Sequence, residues 1–338
     1  MSFAKIGVIG AGSFGTAMAN VLAAATTEAG VSTRVLLWGR EREQIEACRR
    51  TRMNALYLPG VPLHDGVEPT PEFAELRDAE VLFVVVPSRA IREVADRLAA
   101  EGVTGALVSC TKGIERGTGL RMTEVLKERL PMNTVAVLSG PSHAEEASQG
   151  MPTAVVLGCE DEGFAARLQR MMTAGMFRVY TSTDVAGVEL GGALKNIFAI
   201  AAGISDGLGF GDNSKAALVT RSLVELARLG EALGGRPETF YGLSGLGDLM
   251  VTCFSRHSRN RALGERIGRG EKLEEIVASM SMVAEGVPTT RSAYECARQV
   301  GVDTPIIDAV YRILYEGLAP RKVLAEMLSR HPKPELRR

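Results

Sequence analysis

The apolar positions along the chain fall into two regimes. Up to about residue 184, short β-branched runs alternate with stretches of helical spacing. The runs at 5–9, 34–38, 81–86, 105–110 and 134–138 are apolar and bounded by Gly, Pro or Ser, which predicts buried strands. Between them, 13–25, 41–51, 90–100 and 120–129 show a helical period with charged outer faces. Strands alternating with helices imply a parallel sheet covered on both faces. Two more strand-like runs, 153–157 and 177–180, flank a helical segment at 164–172 and are expected to extend the same sheet. Beyond 184 the strand pattern all but vanishes. Segments 188–204, 215–233, 260–269, 273–279, 289–300, 306–315 and 319–328 read as helices. The predicted architecture is an α/β Rossmann-type parallel-sheet domain, residues 1–187, followed by an all-α domain, residues 188–338. The tail 331–338 carries two prolines and several charges and is expected to fray.

Composition narrows the function classes. With 46% hydrophobic and 23% charged residues the chain is an ordinary packed globular protein. A formal net charge of −1 gives no reason to expect a nucleic acid or an anionic membrane surface as partner. Cys48, Cys110, Cys159, Cys253 and Cys296 are scattered, with no CxxC and no histidine at metal-ligand spacing. This predicts reduced thiols in a cytoplasmic protein that needs no metal. Lys5, an apolar run and the small residues Ala23, Ala24 and Ala25 faintly imitate a signal peptide, but Gly7, Gly10, Gly12 and Gly15 interrupt it. No run reaches the roughly 18 to 20 uninterrupted apolar residues of a membrane helix, so no stable membrane insertion is expected.

The glycines that break that run have a purpose of their own. Gly10-Ala11-Gly12-Ser13-Phe14-Gly15 follows a predicted strand and opens a predicted helix. Gly10 permits the tight turn, Gly12 lets a pyrophosphate approach the backbone, and Gly15 lets helix and strand pack closely. A methyltransferase with a similar glycine-rich turn is the rival reading. At the end of the second strand, where NAD sites place an acid for the ribose hydroxyls, stand Trp38-Gly39-Arg40, with Arg42 nearby. A guanidinium suits a 2′-phosphate, so NADPH is expected to be accepted as well as NADH. A solvated arginine at a helix start is the plainer alternative. Val84-Val85-Val86-Pro87-Ser88, Thr111-Lys112-Gly113 and Ser139-Gly140-Pro141-Ser142 each follow a strand at the sheet edge where ligands of such folds bind.

In the helical half the informative stretch is Gly191-Gly192-Ala193-Leu194-Lys195-Asn196. Two glycines inside an apolar helix cost roughly 1 kcal/mol each relative to alanine, so something must approach that face closely. Burial would lower the pKa of Lys195, and a second cation such as Lys112 would lower it further. A lysine tuned in this way exchanges a proton near neutrality. Asp248, in Leu246-Gly247-Asp248-Leu249, is a carboxylate in apolar surroundings and needs a partner, for which a buried lysine would serve; a helix-capping role is the alternative. Ser258-Arg259-Asn260 offers a hydroxyl, a guanidinium and an amide at a predicted helix start, a set suited to a phosphate monoester. Glu285 reads equally well as an acceptor to a cofactor or as a loop acid.

Together these segments resemble the bacterial NAD(P)-dependent glycerol-3-phosphate dehydrogenase family. The resemblance runs through GAGSFGTAMA from Gly10, NALYLPGV from Asn54, VVVPS from Val84, TKGIE from Thr111 and SGPSHAEE from Ser139. It continues through GVELGGALKNIFAIAAGISDGLGFGDNSKAAL from Gly187, GLGDLMVTC from Gly245, SRNR from Ser258 and VAEGVPT from Val283. It implies Lys195 as proton donor or acceptor, assisted by Asp248 and Lys112. It implies substrate contacts from Lys112, Gly140, Ser142, Lys195, Asp248, Ser258, Arg259 and Asn260. For the cofactor it implies, with the glycine turn, Ser13, Phe14, Arg40, Tyr57, Lys112, Ala144, Arg259, Val283 and Glu285. It implies the reduction of dihydroxyacetone phosphate with NADPH or NADH, a homodimer, and a supply of glycerol 3-phosphate for phospholipid synthesis. His143 departs from the pattern, which usually carries an aromatic such as Phe there. Two rivals remain: another two-domain reductase acting on a hydroxy or sugar acid, and a redox sensor that binds the dinucleotide without turnover.

Overall fold

A computed structural model describes residues 3–280, 282–329, 331 and 334–335, so the fraying expected for 331–338 falls largely outside the described residues. The β-branched runs of the first half form eight strands of one sheet: β1 (Lys5–Ile9), β2 (Arg34–Trp38), β3 (Val67–Thr70), β4 (Val81–Val84), β5 (Ala106–Ser109), β6 (Val135–Ser139), β7 (Thr153–Gly158) and β8 (Phe177–Ser182). They are ordered β3-β2-β1-β4-β5-β6-β7-β8. The chain order reverses between β1 and β4, and at such a switch point the strand ends open a crevice for a ligand. Helices α1 (Ser13–Glu28), α2 (Arg42–Thr51), α3 (Ile91–Ala100), α4 (Met122–Arg129), α5 (Ala144–Ala147) and α6 (Glu162–Met172) connect the strands. Side chains from α1 and α6 pack one face of the sheet in one core, and side chains from α3 and α4 pack another.

Two features depart from the sequence reading. β3 was not anticipated, because Val67-Glu68-Pro69-Thr70 holds a charge and a proline. It survives as the outer strand beyond β2, where proline is tolerated. The sheet is also not parallel throughout: β7 runs antiparallel to β6, with Leu138 opposite Leu157. The 140–152 connection contains only the single turn α5, without the full helix that a parallel crossover uses.

The rest of the chain is helical: α7 (Val185–Gly207), α8 (Asp212–Ala232), α9 (Pro237–Phe240), α10 (Asp248–Phe254), α11 (Arg259–Gly268), α12 (Leu273–Ser279), α13 (Gly286–Gln299), α14 (Pro305–Tyr315) and α15 (Pro320–Leu328). By length and composition, α7 alone among the described helices could cross a membrane, yet 89% of its most apolar window is buried inside the protein. Of its three charges, Glu189 and Lys195 are buried with it and Asp206, near its C-terminal end, is half-buried. Helices α8, α10, α11, α13 and α14 pack around it. The closest neighbour is α11. A Cβ added at Gly203 would lie 2.0 Å from the Arg261 carbonyl oxygen, and one at Gly264 would lie 2.1 Å from that of Ile200. The two helices therefore meet backbone to backbone, which brings the start of α11 close to Lys195. All five cysteines are buried and free.

Candidate active site

The crevice at the switch point has a floor made of backbone. Gly10 leaves β1 with φ +116°, and a side chain there would strike the Val85 carbonyl oxygen at 2.2 Å. Gly15, in the first turn of α1, comes so near that a Cβ would lie 1.8 Å from the Gly10 carbonyl oxygen. Gly12 caps α1 without a side-chain acceptor, and a Cβ there would meet nothing within 4 Å. The helix thus presents unpaired N–H groups and a positive dipole end to open space, a cradle for a pyrophosphate. Ser13 Oγ lies 2.6 Å from the Tyr57 carbonyl oxygen and 3.2 Å from Met282 Sδ. Buried Asn54 holds the loop of Tyr57 in place, donating to the Ala11 carbonyl and to Thr16 Oγ1. Phe14 packs with Ala17, Leu58, Val61 and Ala144, so the family-implied Phe14 and Ala144 share one apolar wall. Arg40 is exposed beyond the end of β2 and pairs with Glu41 at 3.0 Å.

On the far side, Glu285 accepts from the Ser88 N–H at 3.2 Å and from Ser88 Oγ at 2.6 Å, tying the start of α13 to the end of β4. Burial raises the Glu285 carboxyl above its ordinary value. Arg259 donates to the Val283 carbonyl at 3.0 Å, which keeps the family-implied Val283, Glu285 and Arg259 in one corner.

The opposite wall is made of charge. A π-helical turn, Leu243–Gly247, leads into α10 and delivers Asp248 to the interior. Asp248 is 1% exposed and takes Lys112 on one oxygen at 2.6 Å and Lys195 on the other. Lys195 also donates to Thr252 Oγ1 at 2.6 Å, and Thr252 in turn donates to the Asp248 carbonyl at 2.6 Å. Burial, helped by the Lys112 charge, pushes the Lys195 ammonium down to about 7, against the pull of Asp248. Burial works to raise the Asp248 carboxyl, but the two ammonium groups hold it below the ordinary value. With Lys195 protonated, two cations on one carboxylate leave the cluster with one net positive charge.

The double glycine of α7 is explained by what touches it. A Cβ at Gly191 would fall 2.7 Å from the Ser244 carbonyl oxygen, and one at Gly192 would fall 2.2 Å from Ser139 Oγ. Only glycine lets the strand end carrying Gly140 and the turn carrying Asp248 both reach α7 beside Lys195. Lys112 Nζ lies 3.5 Å from the Gly140 carbonyl oxygen, and Ser142 Oγ donates to the same carbonyl at 3.0 Å. Ser258 caps α11, accepting from the Arg261 N–H at 3.2 Å. Asn260 donates one amide hydrogen to Asn196 Oδ1 at 2.9 Å and accepts from the Gly286 N–H at 2.9 Å, joining α7, α11 and α13.

Contacts join the sequence-predicted residues in groups: Ser13 with Tyr57, Phe14 with Ala144, Arg259 with Val283, and Lys112 with Asp248, Lys195 and the Gly140 carbonyl that Ser142 also reaches; Arg40 stands apart, paired with Glu41. Sequence reading left Thr252 out of the site, and it gave Asn196 and Ser88 no contact of their own although both stand in stretches it singles out. Thr252 was findable as the residue four places after Asp248, on the same helical face. That reading required seeing 248–254 as a helix, which its β-branched and aromatic residues obscure.

Comparisons with known proteins agree with this fold. Residues 5–165 match the profile of the NAD-dependent glycerol-3-phosphate dehydrogenase N-terminus, and residues 184–325 match that of its C-terminus. The glycerol-3-phosphate dehydrogenase [NAD(P)+] of Geobacter metallireducens is 49% identical over 338 residues, covering 98% of each chain. That of Desulfitobacterium hafniense is 47% identical, covering 98% of this chain and 93% of its own. The crystal structure of glycerol-3-phosphate dehydrogenase from Coxiella burnetii superposes with a TM-score of 0.90 at 37% identity, covering 96% of this chain and 99% of that one. With both halves matched and full-length relatives near half identity, the chain belongs to the NAD-dependent glycerol-3-phosphate dehydrogenase family.

Proposed function

We propose that this protein catalyses the reversible reduction of dihydroxyacetone phosphate to sn-glycerol 3-phosphate, with NADPH or NADH as the source of hydride. The observation that carries the reading is the buried cluster in which Lys195 and Lys112 share Asp248, close to a helix start suited to an anion. A nicotinamide held there would supply the hydride that C2 of the ketone accepts. Lys195 gives its proton to the C2 oxygen as that oxygen gains charge, and takes it back in the oxidation direction. With a pKa of about 7, both of its forms are populated near neutrality. Asp248 and Thr252 fix the ammonium in position, and Lys112 adds the positive charge that favours an alkoxide in a dry site. Arg259, the capped start of α11 and the second amide hydrogen of Asn260 hold the phosphate, with Gly140 and Ser142 lining the floor. Phosphate binding positions C2 for transfer.

On the cofactor side, Gly10, Gly12, Ser13 and Gly15 cradle the pyrophosphate, and Phe14, Tyr57 and Ala144 wall it in. Arg40 meets a 2′-phosphate, while Lys112, Arg259, Val283 and Glu285 close on the nicotinamide end. The division into a dinucleotide-binding domain, 1–187, and a substrate domain, 188–338, belongs to the same reading. It is supported by the change from sheet to helices at α7, which begins at Val185. A cytoplasmic homodimer that supplies glycerol 3-phosphate to phospholipid synthesis completes it.

The test is oxidation of NADPH and of NADH followed by absorbance, with and without dihydroxyacetone phosphate. Turnover that depends on dihydroxyacetone phosphate is the expected result. Folded protein that binds NADPH but turns over neither cofactor with this substrate overturns the reading.

A further inference from the structure

Among the buried side-chain atoms that lack a hydrogen-bond partner, Ser139 Oγ lies against Gly192 of α7 and His143 Nε2 lies in the loop that follows. His143 directly follows Gly140-Pro141-Ser142 and immediately precedes α5. Pro141 packs against Gly247, the residue before Asp248, with its Cδ 3.7 Å from where a Gly247 Cβ would lie. The imidazole itself packs on His257, the residue before Ser258, at 5.8 Å between ring centroids. Its loop is thus held against both ends of the substrate site, the proton-transfer cluster and the start of α11. The charges of Lys195 and Asp248 act on the ring more strongly than that of Glu145, two residues along its own chain.

A buried imidazole nitrogen without a partner destabilises the free protein by about 1–3 kcal/mol, which a ligand group can recover. Under the substrate reading given above, on which this inference rests, the ketone oxygen belongs to Lys195 and the phosphate to Arg259 and α11. The C1 hydroxyl is left. Ser142 already spends its hydroxyl hydrogen on the Gly140 carbonyl. We propose that His143 hydrogen-bonds the C1 hydroxyl of the bound triose phosphate and so sets the preference for a hydroxymethyl ketone over a methyl ketone.

The charge state of the ring suits this role. Burial first, and then the Lys195 charge, push the imidazole below its ordinary value; Lys112 adds to this, while Asp248 and Glu145 oppose it. A neutral ring offers a donor and an acceptor to a neutral hydroxyl without placing a third cation beside the two lysines. Had His143 served the phosphate, a protonated ring would be the fitting form.

The experiment compares kcat/KM for dihydroxyacetone phosphate with that for its 1-deoxy analogue, which carries a methyl group at C1. The wild-type protein is expected to prefer the hydroxylated substrate by about tenfold or more. In His143→Phe the preference is expected to fall by about tenfold, with kcat/KM for the analogue staying within about twofold of wild type. His143→Gln, which keeps a donor, is expected to restore part of the preference. It also serves as the variant to read if the Phe form fails to bind NADPH in a fluorescence titration. A preference insensitive to position 143, or an equal loss on both substrates, overturns the contact. Wild-type turnover is read first and separately: its absence overturns the substrate reading, whereas an unchanged ratio overturns only the role of His143.

Discussion

Where the crevice is floored by the sheet, the chain meets its ligand with backbone: the turn at Gly10, the bare N–H groups after Gly12, and Gly15 pressed against the strand end. Where it is walled by α7 and α10, the chain uses charge: Lys112, Asp248 and Lys195, each holding the next. The first region is a shape that side chains would fill. The second is an electrostatic balance that a lost charge upsets. Substitutions in the two regions should therefore fail in different ways, and the failures can be separated by measuring binding and turnover independently.

The largest effect is expected from Lys195→Ala. Removing a general acid of this kind lowers kcat by about 10²- to 10⁴-fold. Because Lys195 lies outside the backbone cradle, the NADPH dissociation constant should stay close to wild type. A variant that keeps wild-type turnover removes Lys195 from the mechanism. Asp248→Asn comes next and works through the same lysine. Asp248 is what raises the Lys195 pKa against burial and Lys112, so its neutral replacement leaves Lys195 still lower than about 7. Reduction needs the protonated lysine, so its rate should fall as pH rises through about 7 in the wild type, and at lower pH in the variant. Oxidation, which needs the neutral amine, should show the opposite limb. Paired pH profiles in the two directions measure this, and profiles that coincide for wild type and variant contradict it.

The backbone region gives a smaller effect on a different observable. A Cβ at Gly15 would lie 1.8 Å from a carbonyl oxygen that has nowhere to retreat. Gly15→Ala should therefore lower stability by about 1–3 kcal/mol, as overpacking does elsewhere. It should also weaken NADPH binding by roughly tenfold while sparing kcat at saturating cofactor. A thermal melt with and without NADPH separates the two losses. A fall in kcat with unchanged binding would mean that the two regions are not separate in the way their construction suggests.

That difference in construction also decides what could be read from the sequence. The cradle was legible because its glycines sit at fixed offsets directly after an apolar strand, and each offset has its own steric reason. Lys195 was legible because a charge in an apolar helix is conspicuous, and so was the double glycine beside it. What escaped depends on contacts distant in the chain. Thr252 joins the site only because 248–254 coils into a helix that its β-branched residues disguise. Ser88 joins it through Glu285, 197 residues away. The pairing of α7 with α11 was written as Gly203 and Gly207 facing Gly264 and Gly268, a four-residue glycine spacing on both helices. Taken one helix at a time, such glycines look like flaws in a helix. The reversal of β7 was invisible because strand direction depends on the connection, and the α5 turn is too short to leave a periodic signal.

The smallest effect should come from the outermost residue of the cradle, and it tests whether the backbone region is also where cofactor identity is decided. Arg40 sits beyond the end of β2 with its side chain 76% exposed, paired only with its neighbour Glu41. An exposed pair of this sort is weak and screened by salt, so the guanidinium is free to turn to a ligand phosphate. Arg40→Ala should lower kcat/KM for NADPH by about five- to tenfold and leave that for NADH nearly unchanged, a change carried by KM rather than by kcat. The effect should shrink as ionic strength rises, since the contact is exposed. Arg42→Ala is the control, because Arg42 is paired with Glu72, just after β3. If the two variants alter the cofactor ratio equally, the preference comes from general positive charge near the crevice. If neither alters it, the 2′-phosphate is not read at the end of β2, and selection between the two cofactors lies in the backbone cradle itself.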